Sequence, residues 1–235
     1  MKDDKKKYNK AVDLVAELLY QQDLEREKKE IYPKESIWPL LKKEIQNHGY
    51  ECEIQNMAEY ICSNNPEEFR DIIMKYYKIC TIDKEKAFLV SCLINKKNAE
   101  LTPFILSEFE KLHDHEKCMF NTMVANFIHK TCNKKYKDLY IKVLKNKKLK
   151  KNIISIFPFI ETLKIKEVEE ILVDYLNDDE IISGEENHMK KHILKSLSKY
   201  KDSDLLYLFK KYLNDDDRDV RKICERAIEN INKIG

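Results

Sequence analysis

A block of five residues occurs twice near the C-terminal end of the chain, as Tyr175-Leu176-Asn177-Asp178-Asp179 and as Tyr212-Leu213-Asn214-Asp215-Asp216. Self-similarity of this kind limits the folds open to a chain, because each copy of the unit must bury the same face. The second copy opens the stretch Leu213 to Ile231, reading LNDDDRDVRKICERAIENI. Val220, Ile223, Cys224, Ala227, Ile228 and Ile231 recur there at offsets of three and four, which predicts an amphipathic helix with one core-facing stripe. Lys222, Arg226 and Glu229 fall on the opposite side. Asp215, Asp216 and Asp217 stand just ahead, where they can cap free N–H groups and suit the positive end of the helix dipole. Leu205, Leu206, Leu208, Phe209, Tyr212 and Leu213 predict an apolar helix before them. Two helices joined by a short acidic turn predict an antiparallel hairpin.

The unit continues upstream. Met189-Lys190-Lys191-His192-Ile193-Leu194 aligns with Val220-Arg221-Lys222-Ile223-Cys224-Glu225, with a longer turn around Ile181 to Asn187. Leu149-Lys150-Lys151-Asn152-Ile153-Ile154 matches the Met189 stretch in turn. Copies roughly 30–40 residues apart lie in the range of helical solenoids. An apolar residue, two aspartates, Val-Arg and then small and apolar residues stand here as Leu213, Asp215, Asp217, Val220-Arg221, Cys224, Ala227-Ile228 and Ile231. This pattern resembles the second helix of the HEAT repeat family, with Cys224 where that family usually has alanine. The resemblance is clearest over residues 135–235. It implies an all-α solenoid, a right-handed superhelical stack of about six helical hairpins, whose second helices line a concave face. The expectation is one such domain over residues 1–235, with 1–7 as a flexible tail.

Composition narrows the function. Only 3 glycines and 5 prolines occur in 235 residues, which disfavours folds rich in tight β-turns. Gly49, Gly184 and Gly235 are isolated, so no phosphate-cradling loop, dinucleotide fingerprint or nucleophile elbow can be written from them. The formal net charge is +2, from 44 basic and 42 acidic residues, and predicts no strong global attraction to nucleic acid or membrane. The charge is uneven along the chain: Lys134 to Lys151 is strongly basic and Lys166 to Asn187 strongly acidic. The plainest reading of both is solvated helix faces. The 7 cysteines are odd in number and mostly lie on apolar stripes, which reads as buried free thiols in a reducing compartment. MKDDKKKYNK lacks an apolar signal core, and no apolar run reaches the roughly 18–20 residues of a membrane span. The expected location is the cytoplasm.

Helical periodicity extends over most of the chain. The first helix is expected from about Tyr8 to Lys28, carrying Val12, Val15, Leu18 and Leu19. Ser36 is read as the cap of a helix that closes near Gly49, followed by one from about Glu51 to Ser63. Asn65-Pro66-Glu67-Glu68 and Thr102-Pro103 are helix starts, and Asp83 opens another helix between them. Further helices are expected near 116–131, 135–146, 149–163, 166–177, 186–200, 203–213 and 217–233. Pro158 lies inside the 149–163 pattern, where an interior proline costs about 3 kcal/mol, so a kink or break is expected there.

Three candidate sites emerge. Lys151, Lys191 and Lys222 occupy aligned positions on the second helices, and Ser155, Lys195 and Arg226 follow one turn later. Stacked as the family resemblance implies, these six would form a ridge along the inner surface, able to meet an acidic protein or phosphates. His113, His115, Cys118, His129 and Cys132 imitate paired metal ligands, but a straight helix between the pairs would hold them about 20 Å apart, too far for one tetrahedral site. No metal and no cofactor is therefore expected. No carboxylate pair, activated serine or histidine motif marks a catalytic centre, and Tyr and Phe fall mainly at core spacing. The leading expectation is a non-enzymatic scaffold that recognises a protein partner. The alternative is a DNA-binding stack resembling the bacterial alkylpurine DNA glycosylases, which are HEAT-like stacks of similar length. Their likeness implies a basic concave face, aromatic residues and an acid near the lesion. The region Lys111 to Asn121, KLHDHEKCMFN, lacks a Trp-Asp pattern, and the chain's one tryptophan, Trp38, stands early, so no catalytic residue carries over.

Overall fold

The computed structural model describes residues 33–51, 54–58, 62, 64, 66–111, 119–178, 182 and 188–233. The helix expected over 8–28, the Asn65 cap, the turn from Ile181 to Asn187 except residue 182, and the trio His113, His115 and Cys118 lie outside them. The fold is all-α, with no strand among the described residues. The α-helices are α1 (Trp38–Asn47), α2 (Ile54–Met57), α3 (Pro66–Ile79), α4 (Asp83–Cys92), α5 (Thr102–Lys111) and α6 (Met119–Thr131). Then come α7 (Lys137–Lys145), α8 (Phe157–Ile160), α9 (Lys166–Leu176), α10 (His188–Leu197), α11 (Leu206–Lys211) and α12 (Arg218–Asn232). Short 3-10 turns at Lys96–Leu101, Lys134–Tyr136 and Ser203–Leu205 lead into α5, α7 and α11.

Small polar side chains start these elements. Asn95, Asn133, Asn146, Asp202 and Asp217 each accept a hydrogen bond from the backbone N–H two residues on, satisfying a donor the helix cannot. Ser36 works differently from a simple cap. Its Oγ lies 3.3 Å from the Trp38 N–H and donates to Glu85 at 2.6 Å, while the buried Glu85 carboxylate also accepts from the Ile37 N–H at 3.0 Å. The start of α1 is thus capped from another hairpin.

Apolar spacing fixes what faces inward. On α12, Val220, Cys224, Ala227 and Ile231 are buried, whereas Ile223 and Ile228 are half-buried flanks of that stripe. The helix pairs α3 with α4, α5 with α6, α9 with α10 and α11 with α12 pack together as hairpins. Packing between hairpins joins like members: α5 with α7, α7 with α9, α4 with α6, and α10 with α12.

One second member departs from the expected helix. Residues 149–163 are not one α-helix. A 3-10 segment spans Lys147–Ser155, Ile156 breaks it at φ −108°, α8 follows, and a further 3-10 turn covers Glu161–Leu163. The break precedes Pro158, which sits in the first turn of α8, where the missing N–H is tolerated. The proline therefore starts a short helix and does not kink a long one. Leu149, Ile153, Ile156, Phe157 and Ile160 are buried all the same.

Candidate partner-binding surface

The acidic turn before α12 is gripped from two sides. Lys190 of α10 pairs with Asp215 at 2.7 Å, with side-chain exposures of only 14% and 9%. Lys191 pairs with Asp217 at 2.8 Å and approaches Asp219 at 3.7 Å. Arg221 donates through Nη1 to the Asp215 and Asp216 carbonyls. The hydrogen bond from Lys191 is the main cause that holds the Asp217 carboxyl below its ordinary range, and Asp217 in turn raises Lys191. The Lys190–Asp215 and Lys191–Asp217 pairs are charge-assisted hydrogen bonds that fix one hairpin on the next, while Arg221 braces the turn from its own helix.

The six ridge residues therefore differ in what they can offer. Lys191 is committed to Asp217 and Asp219. Ser155 is half-buried and donates its hydroxyl to the Asn152 carbonyl at 2.9 Å. The Lys151 side chain lies outside the described residues. Lys195, Lys222 and Arg226 are exposed, and none has an ion-pair partner among the described residues. Lys222 and Arg226 lie one turn apart on α12, and Lys195 lies one turn beyond Lys191 on the adjoining α10. The row is a cationic patch on the last two hairpins, with Glu225 and Glu229 also exposed on α12.

Sequence reasoning missed a ladder of ion pairs between hairpins. Lys75–Glu44, Lys142–Glu110, Lys137–Glu167, Lys147–Asp178 and Lys166–Asp202 join residues 30 to 36 positions apart. The basic stretch Lys134 to Lys151 is thus partly matched by the acidic stretch that begins at Lys166, through Lys137–Glu167 at 2.5 Å and Lys147–Asp178 at 2.6 Å. Opposite charges recurring 30 to 36 residues apart were the signal that could have revealed it.

The remaining candidates find ordinary structural surroundings. His129 stacks on Phe159 with ring centres 4.7 Å apart, and the Cys132 thiol points to the Phe159 carbonyl at 3.7 Å. Among the described residues no group of three or more His, Cys, Asp or Glu side chains is placed to hold a metal ion. Cys62, Cys80, Cys92, Cys132 and Cys224 are free thiols, and burial, with Asp215 and Glu225 adding, pushes Cys224 up to about 12. Trp38 meets Phe88 edge-on at 5.0 Å. Among large apolar side chains Tyr207 stands out at 62% exposed, on α11. No described helix is long and apolar enough to cross a membrane. Compared with protein-family models, curated proteins and solved structures, the chain matches none.

Proposed function

We propose that the chain is a HEAT-like α-solenoid acting as a non-enzymatic binding scaffold, which grips an acidic protein partner through the inner faces of its second helices. The observation that carries this reading is the recurring offset of the inter-hairpin bonds. Tyr76 donates to the Leu40 carbonyl, Tyr175 to that of Leu144 and Tyr212 to that of Leu176, across 36, 31 and 36 residues. Bonds that repeat at one unit length are what a stack of like hairpins requires. Lys195, Lys222 and Arg226 are the residues that would contact the partner, since the other described cation of the row already holds its neighbour. Interspersed Glu225 and Glu229 favour a protein over a continuous run of phosphates, because they repel a polyanion while a folded partner can place cations opposite them.

Two measurements test this reading. Scattering from the protein in solution should give a radius of gyration clearly above the roughly 17 Å of a compact chain of this length. A compact value removes the solenoid. Affinity capture from the native cell should retain a protein partner, and the variant Lys195→Glu/Lys222→Glu/Arg226→Glu should lose it with little change in melting temperature. Undiminished capture retires the cationic patch. Titration with DNA should show no binding with the steep salt dependence of phosphate neutralisation; a steep dependence would favour the nucleic-acid alternative.

A further inference from the structure

The geometry points to a joint in the middle of the molecule: residues 147–166 form the flexure about which the hairpins before and after them bend, and the Glu161–Lys199 ion pair is its latch. This inference rests on the stacked-hairpin reading and not on the cationic patch.

Three independent features meet there. The first is backbone. The other described second members, α4, α6, α10 and α12, are α-helical, whereas Lys147–Leu163 is built of 3-10 turns around the four-residue α8. Nine consecutive 3-10 residues, Lys147–Ser155, make a long run for a conformation whose hydrogen bonds are poorer than those of an α-helix. Ile156 and the left-handed Lys164, at φ 52°, bound the pieces.

The second feature is the nature of the seams. On the side of α6, Asn121 donates to Asn152 at 3.3 Å and Cys132 reaches the Phe159 carbonyl. On the side of the turn after α10, Lys199 pairs with Glu161 and Lys164 donates to the Lys199 carbonyl. Lys166 pairs with Asp202 at 2.7 Å, and Tyr200 donates to the Ile165 carbonyl at 3.4 Å. Such bonds find partners in water when they open, unlike the apolar packing that Leu149, Ile153 and Phe157 contribute beside them.

The third feature is incomplete satisfaction. Glu161 is fully buried, at 0% exposure, yet its Oε2 has no hydrogen-bond partner among the described residues. A buried carboxylate oxygen left unpaired disfavours the closed seam, and opening the seam hydrates it. The unpaired oxygen thus lowers the cost of opening the latch. Bending at this joint would alter the curvature of the inner surface on either side of it, and so the fit to a partner.

Hydrogen exchange on the full chain reads the joint directly. The amides of 147–163 should exchange at least about tenfold faster than those of α6 and α10, although Leu149, Ile153, Ile156, Phe157 and Ile160 are as well buried as the core of those helices. Glu161→Gln should quicken exchange in 147–163 and in 198–202 while leaving α3 to α5 unchanged. Glu100→Gln, which removes one of the two exposed partners of Arg70, should leave 147–163 unchanged. Equal protection of 147–163, α6 and α10 in the unaltered protein overturns the joint, as does Glu161→Gln acting on all helices alike. The unaltered protein carries the test even if a variant fails to fold. A compact radius of gyration would remove the stack; an extended one with uniform protection would remove the joint alone.

Discussion

The helix Arg218–Asn232 and the segment Lys147–Leu163 occupy corresponding places, each the second member of a hairpin, and each carries the same apolar rhythm. In the first, Val220, Cys224, Ala227 and Ile231 are buried along fifteen residues of unbroken α-helix. In the second, Leu149, Ile153, Ile156, Phe157 and Ile160 are buried just as fully on a backbone that changes type three times. The difference teaches that spacing of apolar residues decides which side chains enter the core, not which hydrogen bonds the backbone makes. Four lysines in the five residues 147–151 and the β-branched Ile153, Ile154 and Ile156 weaken the second segment as an α-helix. In α12, Asp217 caps the first turn at 2.8 Å and strong helix formers fill the exposed positions.

The comparison can be broken at the core first. Ala227→Asp puts an unpaired charge at a position with 0% exposure and should cost about 4 kcal/mol or more, unravelling α12 in a thermal melt. Ile228→Asp, on the half-buried flank, should cost distinctly less; equal costs would mean the stripe is centred wrongly. Phe157→Ala in the broken segment should cost about 3–5 kcal/mol, as in a regular core. A loss under about 1 kcal/mol would show that this segment's packing is as loose as its backbone.

Acid should act on both regions more gently. Hydrogen bonds from Lys166 and Lys191 hold Asp202 and Asp217 below their ordinary value of 3.8. The stability these carboxylates add is therefore fully present above that value and lost as pH falls through their lower folded values. The side chains are partly exposed, so each should contribute at most about 1 kcal/mol, and Lys191→Gln should flatten the acid limb of a melting-temperature profile. An unchanged profile would mean that the pair adds nothing. The smallest effect belongs to Pro158→Ala. Because the proline sits at the start of α8, its removal should change stability by less than about 1 kcal/mol and leave the helical circular dichroism unchanged. A rise in helicity would make Pro158 the cause of the break after all.

Much of the architecture was legible in the residues. The periodicity of Val220 to Ile231, the aspartates before it and the Thr102-Pro103 start all describe local physics, and the helices begin and end near where those signals stand. The break near Pro158 was legible from the proline; its form was not, because a proline in an apolar-periodic run can kink a helix or stand in the first turn of a new one, and only the surrounding backbone chooses. For the cationic patch, sequence supplied position but not availability. Lys191 and Lys195 look alike on paper; one is held by Asp217, while the other has no ion-pair partner among the described residues, because only the former faces the next hairpin's turn. Glu85 and Glu161, buried far from any motif, gave no signal at all.

The three tyrosine-to-carbonyl rungs carry a consequence for how such a chain can change its length. Each rung asks only that a tyrosine near or just past the end of one first helix meet a carbonyl belonging to the first helix before it: Leu40 for Tyr76, Leu144 for Tyr175, Leu176 for Tyr212. Excising the hairpin that bears both Tyr175 and Leu176 would therefore offer Tyr212 the Leu144 carbonyl, an equivalent mate. Loss or duplication of a whole hairpin preserves the pattern, whereas an insertion of a few residues inside a first helix disturbs the rungs in which that helix takes part and leaves the others in place.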